Sequence, residues 1–523
     1  WILSIYIGSV REPPPLTKTP LLFNASRAYR TTEAFVSQCP QRVFGSLESR
    51  SATGFLRDTL ESLGYEWDYM NVGAQINESK EVGRNILGFR EGTSREMIAI
   101  AAHYDTAPTT IQGAIGNGSG VGVAIELARV LADTPTHRSI LIAFTDGGEW
   151  GSLGAEDLAK RYDGRERIVA VLSLDYVAIG DLAALRLDET GLLKGFTPPW
   201  YRLLSFAAAK ETGLPVQSPS GFREHLERTF YIPWSDQGPF LASGIPAVNL
   251  GSLPVDPDLQ EAVYRSTQDT VDNLKISSFE SFGIAAERIV RSLDELPSIP
   301  RESMDSFQIR KGIFRTPGIF HAILFIPLAL CIFFNIKNHR RWLKTSGILR
   351  ELLAYAATLF SLSMIYFLIR IFNFFELLPA YELYPATAKD PVLTHPSWGI
   401  IGGIMASVLL TGAACTSIYI YCFRKHPRQE HPASGTVLLS LALITAVAAL
   451  PYNSYWAVTF LTLPCWIWCF VPGGSNWVGR LMHWLWILIA AIPCCIPFWY
   501  LTSHLDLSGN AIWYQILALN TGL

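Results

Sequence analysis

The chain has 523 residues, 49% of them hydrophobic and 17% charged, and its 42 Lys and Arg against 45 Asp and Glu leave a formal net charge of -3. That is too long for one ordinary domain, and it lacks the basic surplus of a nucleic-acid-binding chain, so nucleic acid is excluded as a partner. Most charges lie in residues 1–310, whereas long apolar runs dominate from Thr316 onward.

Residues 1–15 are expected to be the end of an N-terminal membrane anchor followed by a spacer. Trp1–Val10 reads as the tail of a membrane helix in a chain that starts without Met, with a signal-peptide remnant as the alternative. Pro13, Pro14 and Pro15 then stiffen the chain. Residues 16–310 alternate between strand and helix signals. Apolar runs at Met97–Ala102, Ile140–Phe144, Ile168–Leu174 and Pro246–Leu250 predict buried strands. Amphipathic or capped patterns predict helices over Thr53–Leu63, Ser119–Leu131, Trp200–Thr212, Gly238–Ala242 and Phe279–Leu293. Such alternation predicts an α/β fold, a mostly parallel sheet flanked by helices on both faces.

Residues 311–523 predict an all-α, multi-span membrane domain of about seven helices. The candidate spans are 317–336, 349–371, 398–421, 436–450, 455–471, 481–501 and 511–523, several of which reach the roughly 20 residues needed to cross a bilayer. Lys337–Lys344 (KNHRRWLK), then Arg424, Lys425 and Arg428, and then Arg480 fall in alternate loops. Taking the positive loops as cytoplasmic places 16–310 on the extracytoplasmic side, whether periplasmic, extracellular or lumenal. Membrane lipid is therefore an expected partner. Seven of the eight cysteines lie in or beside these spans and behave as small apolar residues; only Cys39 falls in the polar half. Asn24, Asn77 and Asn117 begin glycosylation sequons.

The chemistry concentrates in Ile98–Asp175. A hydrophobic strand ends in AAHYD (Ala101–Asp105), a Gly-rich GAIGNGSG (Gly113–Gly120) precedes a helix, and FTDGGEWGSLGA (Phe144–Ala155) and LSLDY (Leu172–Tyr176) end two further strands in acids. An α/β sheet collects such groups along the edge where its parallel strands end, which is how this fold class builds a metal site. The run GNGSGVG (Gly116–Gly122) does not follow its strand directly, so it reads as a turn into a helix rather than a dinucleotide loop.

Together these motifs resemble metallopeptidase family 28, the co-catalytic zinc aminopeptidases, whose fold also serves glutaminyl cyclases and several non-catalytic ectodomains. The resemblance covers roughly Ala34–Leu293 and includes Ser235–Ser252 (SDQGPFLASGIPAVNLGS) and Tyr264–Leu274 (YRSTQDTVDNL). It implies a zinc-aminopeptidase-like fold, with His103 at a zinc-ligand position and Asp105 as the catalytic-shell carboxylate that orients it. It also implies that Gly116 stands where the family has the bridging Asp, and Gly148 where it has the general-base Glu. Glu149 and Asp175 match two further metal ligands, and Arg265 replaces the last His ligand. Asp236 matches a position near the substrate pocket, where Gln237 stands in place of a frequent His. Asp146 is displaced by two residues from the base position and is a poor substitute, since a general base must reach the water it activates.

Three of five metal-ligand positions therefore keep a ligand, so zinc, the parent family's cofactor, is expected to be weak or absent. Arg265 either fills part of the vacated metal space and pairs with Glu149 or Asp175, or points to solvent. Restoring Gly116→Asp, Gly148→Glu and Arg265→His together is expected to restore metal binding. The expected function is a membrane-bound metallopeptidase family member that is catalytically impaired. One alternative is an active exopeptidase with a remodelled site. Another is a non-catalytic scaffold or subunit of a membrane complex, a layout also resembling the endoplasmic-reticulum metallopeptidases and the large subunit of the GPI transamidase. A peptide or protein is the expected ligand.

Overall fold

The computed structural model describes residues 9–316, apart from 77 and 78, and scattered residues between 329 and 500. The chain divides into two compact units, Trp1–Pro317 and Gly318–Leu523. The expected N-terminal anchor and nearly all of the expected spans lie outside the described residues. Among the described residues no helix is long and apolar enough to cross a membrane.

In chain order the first unit contains β1 (Ser9–Val10), α1 (Ala25–Gln38), α2 (Leu47–Ser62), β2 (Glu66–Ile76), β3 (Ser79–Arg90), β4 (Ser94–His103), α3 (Ser119–Ala132), β5 (Arg138–Thr145) and α4 (Leu153–Arg161). There follow β6 (Ile168–Leu174), β7 (Leu182–Asp188), α5 (Pro199–Lys210), β8 (Val216–Gln217), α6 (Phe222–Phe230), α7 (Gln237–Ala242), β9 (Ala247–Pro254), α8 (Pro257–Val263), α9 (Ile276–Glu295), β10 (Phe307–Arg310) and β11 (Ile313–Arg315). Local chemistry sets several of these boundaries. Asn24 caps α1 by accepting from the Arg27 amide, and Ser46 caps α2 by accepting from Ser49. The cap explains why α2 starts at Leu47 and not at the Thr53 suggested by periodicity alone.

Eight strands form one sheet in the order β2-β3-β5-β4-β6-β9-β7-β8. Its centre, β5-β4-β6-β9, is parallel, but β2 pairs antiparallel with β3, β3 with β5, and β7 with β9. The expected mostly parallel sheet is thus a mixed one. The flanking strands were hard to foresee because their side chains are half exposed. Trp67, Tyr69 and Val82 of the β2–β3 hairpin face solvent, whereas β5 is buried throughout. Continuous apolar runs mark strands covered on both faces, and edge hairpins lack that mark.

Alternation along the central strands builds two cores. Ile98, Ile100 and Ala102 face a large cluster with α1, α2, α3, α5 and α9, while Met97, Ala99 and Ala101 face a smaller one with Leu158 of α4 and Phe240 of α7. Each fully buried Leu, Ile or Phe in these layers contributes roughly 1.5–3 kcal/mol. Residues 9–24 dock along α9: Glu287 accepts from the Leu22 and Phe23 amides, and Arg288 donates to the Thr17 carbonyl. A separate three-stranded sheet, β1-β11-β10, joins the two ends of the unit. Part of the expected spacer and the first residues assigned to the membrane region therefore belong to this unit. Asn117 of the third sequon is fully buried.

Helices α1 and α3 approach closely at Gly122, where an added Cβ would overlap the Thr32 hydroxyl and lie 2.8 Å from the Ala28 carbonyl oxygen. Gly54 on α2 has nothing within 4 Å of the same position. Gly122→Ala should destabilise the unit by roughly 1–3 kcal/mol through overpacking, whereas Gly54→Ala should be neutral or stabilise it by up to about 1 kcal/mol. Denaturant unfolding of the two variants tests this; equal effects would contradict the packing described.

Candidate active site

The central strands deliver their last residues to one edge of the sheet. His103 ends β4, and its ring is held at both nitrogens: Nδ1 lies 3.2 Å from Asp105 Oδ1 and Nε2 lies 3.3 Å from Asp175 Oδ1, just past the end of β6. Burial opposes a charge on this ring, but Asp175 and Asp105 outweigh it and hold the His103 pKa well above the ordinary imidazole value. For Asp175, burial pushes the other way, yet His103, Ser235 and Arg186 bring its carboxyl below the usual range. Asp105 is fully buried and accepts from two successive amides, Gly148 at 2.7 Å and Glu149 at 3.1 Å. It therefore fixes both the imidazole and the turn after β5, an orienting role.

That turn presents Glu149 to Arg265. Arg265 Nε donates to Glu149 Oε2 at 2.6 Å, and Nη2 donates to the Glu149 carbonyl oxygen at 3.3 Å. The guanidinium also lies over the Tyr264 ring, 5.3 Å from its centroid. Burial pushes the Glu149 pKa up, with Arg265 and His103 opposing. Of the two expected orientations of Arg265, the one paired with Glu149 is found. The site thus divides into two halves, a His103–Asp175 pair and a Glu149–Arg265 pair.

Gly116 lies beside Glu149 on the loop before α3. A Cβ placed there would lie 3.5 Å from both Glu149 Oε1 and Asp269 Oδ2, an ordinary contact distance. Two residues that sequence reasoning did not single out hold this loop. Asp269 accepts from the Ile115 and Gly116 amides at 2.6 and 3.2 Å, and burial raises its pKa to about 6. Arg42, fully buried, donates to the carbonyl oxygens of Cys39, Tyr104, Gln112 and Gly113. Asp269 sits in the quoted TQDT run, so its motif was a usable signal; Arg42 lies in a stretch without one.

Gly148 differs from Gly116. A Cβ at this position would overlap Cβ and Cγ of His103 and lie 2.7 Å from its Nδ1. Gly148→Glu therefore cannot simply be restored, which corrects the expected effect of the triple reversal. Asp146 does not fill the gap. Its Oδ2 accepts from Ser49, Tyr104 and the Arg84 amide at 3.1, 2.9 and 3.0 Å. Burial, reinforced by Asp105, raises its pKa to about 7, but these contacts commit it to α2 and β3. Asp236 is buried, accepts from the Thr145 hydroxyl at the end of β5, and has a pKa raised by burial. Gln237 starts α7 and donates to the Thr190 carbonyl oxygen at 3.4 Å. Both are buried polar groups.

The donors do not suit two bridged metal ions. Gly116 offers no bridge, Glu149 already faces a permanent cation, and among the described residues no group of three or more His, Cys, Asp or Glu is arranged to hold a metal. The crowding at Gly148 has a measurable consequence. Gly148→Ala should cost roughly 1–3 kcal/mol by overpacking, and this loss should shrink in a His103→Gly background, where the overlapping Cβ, Cγ and Nδ1 are all gone. Equal losses in both backgrounds, measured by thermal or denaturant unfolding, would contradict the contact.

Comparison with known proteins adds the following. The model for peptidase family M28 matches residues 85–290. The alkaline phosphatase isozyme conversion protein of Escherichia coli K12 is 31% identical over 166 residues, covering 27% of this chain and 48% of its own length. Aminopeptidase YwaD of Bacillus subtilis is 25% identical over 265 residues, 49% of this chain and 54% of the relative. A vacuolar membrane protease of Candida albicans is 25% identical over 199 residues, 34% of this chain and 23% of that protein. The chain spans about half the length, or less, of these relatives. The matched residues hold the parallel core, the His103 strand end, the Gly116 loop, Glu149, Asp175 and Arg265. Residues 85–290 of this chain are a peptidase family M28 domain.

Proposed function

We propose that this chain is a membrane-attached M28 metallopeptidase family member whose hydrolytic machinery is lost, leaving a domain that binds or holds a peptide or protein. The observation that carries this is Gly148, where the position of the attacking water's base is packed against the His103 ring. Removing a general base typically costs 10²–10⁴ in rate, and the absent side chain at Gly116 and the occupied Glu149 remove metal ligation as well. An active site remodelled around Asp146 has no support, because that carboxylate serves Ser49, Tyr104 and the Arg84 amide. Purified full-length chain supplied with zinc should show no turnover of aminoacyl chromogenic substrates above background. Clear hydrolysis that Glu149→Ala abolishes would overturn the proposal.

Membrane attachment rests on the apolar spans after residue 316 and on the alternation of their positive loops. The match to a vacuolar membrane protease supports it. On this reading residues 16–310 lie outside the cytoplasm. In sealed cells or vesicles, protease added to the extracytoplasmic side should digest this region. A cysteine introduced by Asn338→Cys should stay unlabelled from that side, and labelling there would reverse the topology.

A further inference from the structure

We infer that Arg265 is a built-in cation that has taken over the charge-balancing task of a metal ion at Glu149, so that this half of the site folds without metal and refuses it. The inference rests on the family reading of the site but not on loss of catalysis, because a chain could refuse metal here whatever its residual chemistry.

Three observations carry it. First, the pairing is specific: Nε meets Glu149 Oε2 at 2.6 Å while Nη2 reaches the same residue's carbonyl oxygen at 3.3 Å. A guanidinium satisfies two acceptors at fixed spacing, which a lysine ammonium does not. Second, both groups are nearly out of solvent, with Arg265 7% and Glu149 8% exposed. A buried carboxylate without a counter-charge is strongly unfavourable, so something must occupy the place opposite Glu149. Third, Arg265 has φ +46°, a left-handed backbone that non-glycine residues adopt at a cost. The Thr109 hydroxyl donates to its carbonyl oxygen at 2.6 Å, and Tyr264 lies against its head group. Backbone and side chain are thus both held so that the fork points at Glu149.

The two replacements are also matched. The Gly116 loop keeps its shape through Asp269 and Arg42, neither of which is a metal-ligand position. On the family reading a bridging carboxylate is absent at Gly116, where a Cβ would lie 3.5 Å from Oε1 of Glu149, the carboxylate that Arg265 meets through its other oxygen. Taking away one carboxylate and adding one guanidinium lowers the negative charge that the metal ions would otherwise have balanced. The Glu149–Arg265 pair therefore needs no exogenous ion.

The test uses the full-length chain, zinc alone as the probe, and stability and metal content as readouts. Wild-type protein dialysed against zinc should retain well below one ion per chain, and its melting temperature should not move with zinc or chelator. Gly116→Asp combined with Arg265→His, leaving Gly148 untouched, should take up about one zinc and show a zinc-dependent rise in melting temperature. Arg265→Ala should lower the melting temperature by on the order of 5–15 °C, and by clearly less when Glu149→Gln is also present. If Arg265→Ala does not fold, Arg265→Lys, which keeps the charge but loses the fork, should give an intermediate fall. Stoichiometric zinc in the wild type, a folded double variant that takes up none, or additive losses for Arg265→Ala and Glu149→Gln would each overturn the inference. Wild-type zinc binding without hydrolysis would sink it while leaving the proposed loss of catalysis standing.

Discussion

Burying carboxylates is costly, and the edge of this sheet buries Asp105, Glu149, Asp236 and Asp269 and partly covers Asp175. Each has a named source of compensation. Asp105 has two amides and His103, Asp175 has His103, Asp236 has the Thr145 hydroxyl, Asp269 has two amides, and Glu149 has Arg265. The positions of the strand ends, the Gly116 loop and the turn after β5 all depend on how that charge is met. These carboxylates are met by main-chain amides, one imidazole, one hydroxyl and one guanidinium.

Backbone groups carry much of the framework of the site. Asp105 grips the Gly148–Glu149 turn through backbone amides, Asp269 grips the Gly116 loop in the same way, and Arg42 ties four carbonyl groups of neighbouring segments together. None of these contacts involves the side chain at 116, 148 or 265. The backbone contacts that hold the two loops therefore do not run through the side chains at those three positions. The ion pair is not in itself a large gain over an apolar alternative, since a buried pair barely repays its desolvation. Its importance lies in what removal of one partner would leave behind.

Much of the fold was legible because the central strands are covered on both faces and read as unbroken apolar runs; Ile168–Leu174 matches β6 residue for residue. The β2–β3 hairpin was not, since Trp67, Tyr69 and Val82 face solvent and its pattern is mixed. Residues 9–15 and β11 fall in the expected spacer and membrane region because the pairing that ties them to this unit joins positions about 300 residues apart. At the site, the motifs singled out His103, Glu149, Asp175, Gly116 and Arg265, and the fold brings His103 to Asp175 and Glu149 to Arg265. Asp269 lay in a motif, but its hold on the Gly116 loop, like the whole role of Arg42, required the fold, because the backbone groups they meet are distant in sequence. The same holds for Gly148: only the position of the His103 side chain shows that a Cβ there would overlap it, whereas a Cβ at Gly116 would make ordinary contacts.

The central claim is that a side-chain cation occupies the place opposite Glu149 that a metal would take. Anomalous diffraction at the zinc absorption edge, from crystals of the chain grown with zinc, tests it most directly. The account predicts the Arg265 guanidinium on Glu149 and no anomalous peak beside that carboxylate. A zinc peak coordinated by Glu149, with the Arg265 head group swung away, would contradict it.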